Sequence, residues 1–122
     1  MSDTVEGPRI AIVGGCASGK SSIVTALRAC GVNAYAVAQE HSMIRALWKH
    51  QHPDALVLLN ASLETMRQRR DDPNWPAWIY QVQQERLADA RAHAHVILTT
   101  DDRNVEALAG EIVRALEGRR FQ

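Results

Sequence analysis

The chain has 122 residues, of which 46% are apolar, and fourteen basic side chains balance fourteen acidic ones. A chain of this length forms one domain, which we expect to bury about two-thirds of its unfolded surface. The zero net charge excludes a bulk electrostatic attraction to nucleic acid or to an anionic membrane, so neither is an expected partner and any anion site must be local.

The cysteines and the N-terminus indicate the cellular setting. Cys16 and Cys30 do not form a CxxC pair. No apolar stretch approaches the roughly 18 residues of a membrane span, and the first residues lack the basic-then-apolar layout of a signal peptide. We therefore expect a cytoplasmic protein with free thiols.

The first predicted elements are a strand and a helix. Residues 1–8 end in Gly7-Pro8 and predict a flexible N-terminal tail, followed by a single domain over residues 9–122. The run from Ile10 to Val13 is short, apolar and rich in β-branched residues, which is typical of a central parallel strand. A helix is predicted from about Gly19 to Cys30, with Gly31 as its left-handed stop.

Two more strands follow, separated by a predicted helix. Residues 34–38 form the weaker second strand, and residues 55–59 form the clearest buried strand of the chain. Between them, Ser42 is a candidate N-cap for a helix. The apolar residues of that helix recur at one-and-four spacing. They are Met43, Ile44, Leu47 and Trp48.

The second half of the chain continues this alternation. A short arginine-rich helix is predicted after residues 60–62, and a longer one over residues 77–93. A fourth strand over residues 96–99 precedes a last helix, which ends at Gly118 and for which Asp101 or Asp102 is a candidate N-cap. The alternation predicts an α/β fold, a three-layer αβα sandwich with a parallel sheet of about four strands. We expect the first strand to lie between the second and the third, and ligands to bind at the carboxyl ends of the strands.

A phosphate-binding motif lies directly after the first strand. The pattern Gly14-x-x-x-x-Gly19-Lys20-Ser21 matches GxxxxGK[ST], with a strand before it and a helix after it. Backbone N–H groups of such a loop surround phosphate oxygens, while Lys20 reaches the β- and γ-phosphates and Ser21 binds Mg²⁺. The predicted nucleotide-binding residues are Gly14, Gly15, Cys16, Ala17, Ser18, Gly19, Lys20, Ser21 and Ser22. The alternative is a glycine-rich turn with a lysine by chance.

Three segments resemble the P-loop kinases, the superfamily of nucleoside, nucleotide and small-metabolite kinases. Pro8-Arg9, the first strand and GGCASGKSS resemble the opening of these proteins. Residues 53–70, PDALVLLNASLETMRQRR, are similar to the segment of thymidylate-kinase-like and nucleoside-kinase-like proteins in which a "PD" strand leads to an arginine-bearing helix. The stretch Glu85-Arg86-Leu87, with the strand and helix after it, resembles their closing unit.

This resemblance implies the P-loop NTPase fold and a kinase that transfers the γ-phosphoryl group of ATP to a small acceptor with Mg²⁺. A nucleoside or a nucleoside monophosphate is a candidate acceptor. Relatives usually have a fifth strand, an acceptor-binding insertion and a lid. This sequence lacks the first two, and its lid candidate is the short stretch DDPNWPAW, residues 71–78. A nucleotide-binding regulatory module with little or no kinase activity is therefore the alternative, and a homodimer is as compatible with the sequence as a monomer. A GTPase is disfavoured, since no NKxD motif is present.

The resemblance also assigns arginines to the nucleotide. It implies that Arg67 lies against the adenine, that Arg70 reaches the phosphates, and that the loop from Thr100 to Asn104 holds the base. Arg67 and Arg70 are three positions apart, so they share a face of the predicted helix. A solvated basic face is the alternative, and Arg86 is a weaker candidate.

An acid beside the metal is harder to assign. Glu40 follows the second strand, and if that strand pairs with the first, Glu40 lies near Mg²⁺ and is the best candidate general base. The predicted metal ligands are thus Ser21 and Glu40. Gln39 is an alternative for orienting water or acceptor, and the bland interpretation is that both residues merely open a helix. His41 and Arg45 are candidate contacts to the acceptor.

Overall fold

A parallel sheet organises the protein, which we analysed as a computed structural model that describes residues 7–15 and 17–118. The strands lie in the order β2-β1-β3-β4. They are β1 (Arg9–Gly14), β2 (Asn33–Ala36), β3 (Ala55–Asn60) and β4 (Val96–Thr99). The first strand lies between the second and the third, as predicted, so the loops after these three strands leave the sheet at one edge.

The two central strands are buried on both faces, as their uniform apolar sequences predict. In β1, Ala11, Ile12 and Val13 have no accessible surface. Alternate residues of each strand point to opposite faces, so Ile12 and Val57 pack in one apolar layer while Ala11 and Leu56 pack in the other. This double coverage fixes the register of β1 against its neighbours.

Five α-helices cover the sheet in the part of the chain that the structure describes. They are α1 (Lys20–Ala29), α2 (Leu63–Arg69), α3 (Ala77–Arg86), α4 (Ala88–His93) and α5 (Val105–Glu117). After α1, Gly31 has a φ of +85°, the left-handed conformation predicted for the stop of this helix. The helix predicted over residues 77–93 is present but is interrupted at Leu87. The three-layer α/β fold is therefore confirmed.

The cap of the last helix differs from the prediction. The N-cap of α5 is Asn104, whose side-chain oxygen accepts a hydrogen bond of 2.7 Å from the Ala107 N–H, so the prediction of Asp101 or Asp102 was wrong. Both aspartates come too early in the chain, and Asp101 instead binds the start of α2. The predicted tail falls mostly on residues 1–6, which lie outside the described residues.

The helix predicted from Ser42 is also wrong. Two short 3₁₀ turns, Gln39–His41 and Leu47–Lys49, replace it, and Met43 is 91% exposed. The buried side chain of Gln39 explains the difference. Its amide bonds the carbonyls of Ile44 and Arg45 and accepts from the Trp48 N–H, which holds these backbone groups in an irregular loop.

None of the helices in the described ranges, 7–15 and 17–118, is long and apolar enough to cross a membrane.

Candidate functional site

The phosphate motif forms a loop between β1 and α1, at the carboxyl edge of the sheet. Gly19 has a φ of +99° and Ala17 a φ of +61°, and the Ser18 N–H donates to the Gly15 carbonyl at 3.0 Å. The loop therefore curls in front of the ten-residue helix α1. The N-terminus of such a helix carries partial positive charge and unpaired N–H groups, which favour an anion. Cys16, a predicted member of the loop, lies outside the described residues.

The two glycines at the start of the loop allow close approach. A Cβ atom on Gly14 would lie 2.8 Å from the Leu59 carbonyl oxygen, and one on Gly15 would lie 2.9 Å from Cε of Met66. The chain is thus packed tightly against β3 and α2, which fixes where the loop begins.

Lys20 and Glu40 meet beside this loop. The Lys20 ammonium donates to the Gly14 carbonyl at 2.8 Å and forms an ion pair with Oε2 of Glu40. The Glu40 side chain is only 3% exposed. Its other oxygen, Oε1, is buried and makes no hydrogen bond to any residue of the described ranges. A buried carboxylate oxygen without a partner costs free energy, so this oxygen is suited to a ligand.

The topology explains this meeting. Because β2 pairs directly with β1, the turn that follows β2 emerges beside the phosphate loop. Gln39 and Glu40 open a short 3₁₀ turn with Glu40 as its acidic residue, rather than an α-helix, so both interpretations of these residues stay predictions. The Gln39 side chain is hydrogen-bonded to the backbone of its own loop and does not line the cavity over the phosphate loop, whereas Glu40 does.

A cavity of about 360 Å³ lies over the loop. Its lining residues are Gly15, Ala17, Ser18, Gly19, Lys20, Ser21, Ser22, Glu40 and His41. The predicted metal ligands Ser21 and Glu40 both line this cavity, and hydroxyl and carboxylate oxygens are ligands that suit Mg²⁺. Within the described part of the chain, no group of three or more His, Cys, Asp or Glu side chains could hold a metal ion by itself. The donor set therefore fits a metal that keeps water and phosphate oxygens as its other ligands.

The arginines of α2 divide among different surroundings. Arg67 donates to the Trp75 carbonyl at 2.9 Å, and the Arg70 guanidinium lies over the Trp75 ring at 4.9 Å. Neither side chain lines the cavity over the phosphate loop. Their contacts to a nucleotide stay predictions.

Arg69 is the arginine that reaches the phosphate loop, and sequence reasoning missed it. Its guanidinium donates to the Ala17 carbonyl at 3.0 Å and to the Thr100 carbonyl at 2.7 Å. Successive residues of an α-helix are about 100° apart around its axis, so Arg69 projects away from the face that Arg67 and Arg70 share. This angle could have indicated from the sequence that Arg69 faces a different part of the protein from Arg67 and Arg70.

A second cavity, of about 330 Å³, opens beside the first, and we call it the arginine cleft. Its lining residues are His41, Arg70, Trp75, Trp78, Ile79, Val82, Gln83 and Arg86. His41 lines both cavities, and Arg86 donates to the backbone carbonyl of Glu40 at 3.3 Å. Among the described residues that line the cleft, two are arginines and none carries a carboxylate. The cleft is therefore positively charged and adjoins the acid of the phosphate site.

The loop after β4 completes the edge of the sheet. Asp101 accepts a hydrogen bond of 3.0 Å from the Ser62 N–H at the start of α2. Burial raises the pKa of Asp101, but hydrogen bonds from Ser62 and Thr65 outweigh it and hold the pKa below its usual value. This carboxylate is therefore ionised and fixed. The loop that the resemblance assigns to the base is thus anchored to α2.

Comparison with known proteins gives a relationship in fold alone. No family model matches the chain, and no curated protein sequence matches it. The chain is similar in structure to a shikimate kinase from Acinetobacter baumannii, solved in complex with shikimate. The match has a TM-score of 0.63 and 15% sequence identity, and covers 94% of this chain and 96% of the kinase. The chain therefore has the fold of the P-loop kinases.

Proposed function

We propose that this protein is a kinase that binds Mg²⁺ and ATP on the phosphate loop and transfers the γ-phosphoryl group to a small anionic acceptor. The observation that carries the proposal is the pairing of a buried acid, Glu40, with the loop lysine, Lys20. Phosphoryl transfer needs a cation for the phosphates, metal ligands and a group that orients the nucleophile. Lys20, Ser21 and Glu40 supply these three types of group around one cavity.

Each of these side chains has a distinct role in the proposal. Lys20 leaves Glu40 for the β- and γ-phosphates when ATP binds, because phosphate carries more negative charge than one carboxylate. Glu40 then has an oxygen for the metal shell and an oxygen for the acceptor hydroxyl, whose proton it accepts. Ser21 contributes its hydroxyl to Mg²⁺.

The acceptor lies in the arginine cleft in this proposal. Arg70 and Arg86 favour an acceptor with a carboxylate or phosphate group, because guanidinium groups bind both in a bidentate manner. Trp75 and Trp78 supply apolar surface for its body. The cleft adjoins Glu40 through Arg86 and His41, so a hydroxyl of the acceptor can reach the acid. We therefore favour an anionic acceptor over a neutral nucleoside.

An acceptor screen tests the proposal. Purified protein is incubated with Mg²⁺, ATP and single acceptors, and ADP formation is followed. The panel contains small hydroxy acids, including shikimate, sugar phosphates, nucleoside monophosphates and neutral nucleosides. We expect at least one anionic acceptor to accelerate ADP formation, and Lys20→Ala to remove that acceleration.

The second candidate function is a nucleotide-binding regulatory module with little or no kinase activity. The connection between α2 and α3 favours it, since residues 70–76 fold back on the protein and bury Trp75 to 5% exposure. None of residues 70–76 lines the cavity over the phosphate loop. A loop open to water transfers phosphate to acceptors inefficiently. Tight ATP binding without acceleration by any member of the panel would favour this function.

A further inference from the structure

Helix α2 is tied at both ends to the loops of the candidate site. At its start, the Ser62 N–H donates to Asp101. At its end, Arg69 donates to Ala17 in the phosphate loop and to both the carbonyl and the hydroxyl of Thr100, at 2.7 and 3.1 Å. One guanidinium therefore joins the loop after β1 to the loop after β4.

Thr100 extends the same connection. Its side chain is 1% exposed, and its hydroxyl donates to the Ser18 carbonyl at 3.2 Å. Arg69 and Thr100 thus bind two successive carbonyls of the phosphate loop. A peptide plane is rigid, so fixing the Ala17 carbonyl holds the Ser18 N–H on the Gly15 carbonyl, and fixing the Ser18 carbonyl fixes the direction of the Gly19 N–H. In a phosphate loop, the directions of these N–H groups decide how well an anion is bound.

Ala17 shows why the loop needs such support. Its φ of +61° is a left-handed conformation that is unfavourable for a residue with a side chain. Surrounding contacts must hold a residue in this region. The hydrogen bond from Arg69 to the Ala17 carbonyl is such a contact.

We propose that Arg69 is a positioning residue, which holds the phosphate loop in its anion-binding shape through Ala17 and Thr100. The guanidinium is engaged with protein carbonyls, so it acts on the phosphates through the loop and not by direct contact. The proposal deepens the proposed function and rests on it for the effect on nucleotides. Its effect on the conformation of the loop itself is independent of that function.

Two measurements on four variants test this role. The variants are Arg69→Ala, Arg69→Lys, Thr100→Val and the control Arg28→Ala. Arg28 likewise donates to a backbone carbonyl, that of Ala34 at 2.9 Å, but at the far end of α1. The first measurement is amide hydrogen exchange of the phosphate loop without any ligand. The second is the dissociation constant for Mg²⁺ with inorganic tripolyphosphate and, in parallel, with ADP.

We expect Arg69→Ala to speed exchange at residues 17–20 by about tenfold and to weaken tripolyphosphate and ADP binding by about tenfold, since bonds from a charged donor are lost. Thr100→Val should show a smaller change of the same kind. Lysine cannot bridge two loops as a guanidinium does, so Arg69→Lys should lie between wild type and alanine. Arg28→Ala should change neither measurement.

Unchanged exchange at residues 17–20 in Arg69→Ala would overturn the proposal. So would a loss of ADP affinity with unchanged tripolyphosphate affinity, which would make Arg69 a contact to the base. If Arg69→Ala does not fold, the same criteria apply to Arg69→Lys and Thr100→Val. If the wild type binds neither ligand, the proposed function fails, while hydrogen exchange still decides the role of Arg69.

Discussion

Glu40 and Lys20 form an ion pair between the turn after β2 and the first residue of α1. The pair joins a buried acid to the lysine that the motif assigns to phosphate. In the proposed function, nucleotide binding separates this pair and makes Glu40 available to the acceptor hydroxyl and the metal.

Replacing this acid should separate binding from transfer. We expect Glu40→Gln to lower acceptor-dependent turnover by about 10²–10⁴-fold, the usual contribution of a general base. Its affinity for ATP without Mg²⁺ should be equal to wild type or higher, because no carboxylate competes for Lys20. Calorimetric titration with ATP and an ADP-release assay measure the two effects. The control is Glu106→Gln, an exposed acid of α5, and equal loss of binding and turnover in Glu40→Gln would contradict the assignment.

Removing a cation from the arginine cleft should affect the acceptor alone. We expect Arg70→Ala to raise the KM of an anionic acceptor by about 10- to 100-fold, because a hydrogen bond to a charged group contributes about 1.5–3 kcal/mol. Nucleotide affinity should stay unchanged. Steady-state kinetics with each substrate varied in turn measure this, with Arg103→Ala as the control because Arg103 pairs with Glu111 on α5. A raised KM for ATP with unchanged KM for the acceptor would place Arg70 at the nucleotide instead.

The Asp101 carboxylate should stabilise the fold only when it is ionised. Its pKa is lower in the folded protein than in the unfolded chain, so its contribution is fully present above the ordinary pKa and disappears as pH falls through the folded value. We expect the free energy of unfolding of Asp101→Asn at pH 7 to be about 1–2 kcal/mol lower than that of the wild type. The difference should shrink below about pH 4.

Denaturant unfolding at several pH values measures this dependence. Asp102→Asn is the matched control, because Asp102 is adjacent and exposed. A difference for Asp101→Asn that stays constant down to about pH 3 would show that the carboxylate charge is not the cause.

The two glycines at the start of the phosphate loop should tolerate a methyl group differently. Gly14→Ala places the new Cβ against the carbonyl of Leu59, which is held in β3 and cannot move alone. We therefore expect this variant to lose about 1–3 kcal/mol of its free energy of unfolding. Gly15→Ala meets the terminal methyl of Met66, which is flexible, and should cost less. Thermal unfolding of both variants compares them directly, and a larger loss for Gly15→Ala would contradict the packing described for the loop.

The sequence predicted the features that depend on local pattern. The apolar runs predicted the positions of β1 and β3, and Gly31 predicted the end of α1. The motif GxxxxGKS predicted the loop between β1 and α1. Glu40 was predicted near the metal from one topological condition, the pairing of β2 with β1, and that pairing is present. Its role at a metal stays a prediction.

The predictions that were wrong or incomplete concern segments whose conformation depends on particular side-chain hydrogen bonds. The spacing of Met43 and Ile44 suggested a helix, but the Gln39 amide binds the backbone of that segment, and periodicity cannot reveal such a contact. The sequence placed Arg67 and Arg70 on one face of the predicted helix and Arg69 on another, but it did not show which face turns toward the phosphate loop. Which of them reaches the phosphate loop depends on the helix orientation and on Thr100, 31 residues further along the chain.

The most direct test of kinase activity is detection of the phosphorylated acceptor by mass spectrometry after incubation with Mg²⁺ and ATP. We predict a product that carries one added phosphoryl group, formed together with ADP by the wild type and absent with Lys20→Ala. Folded protein that binds ATP but gives no phosphorylated product with any member of the acceptor panel would contradict this account.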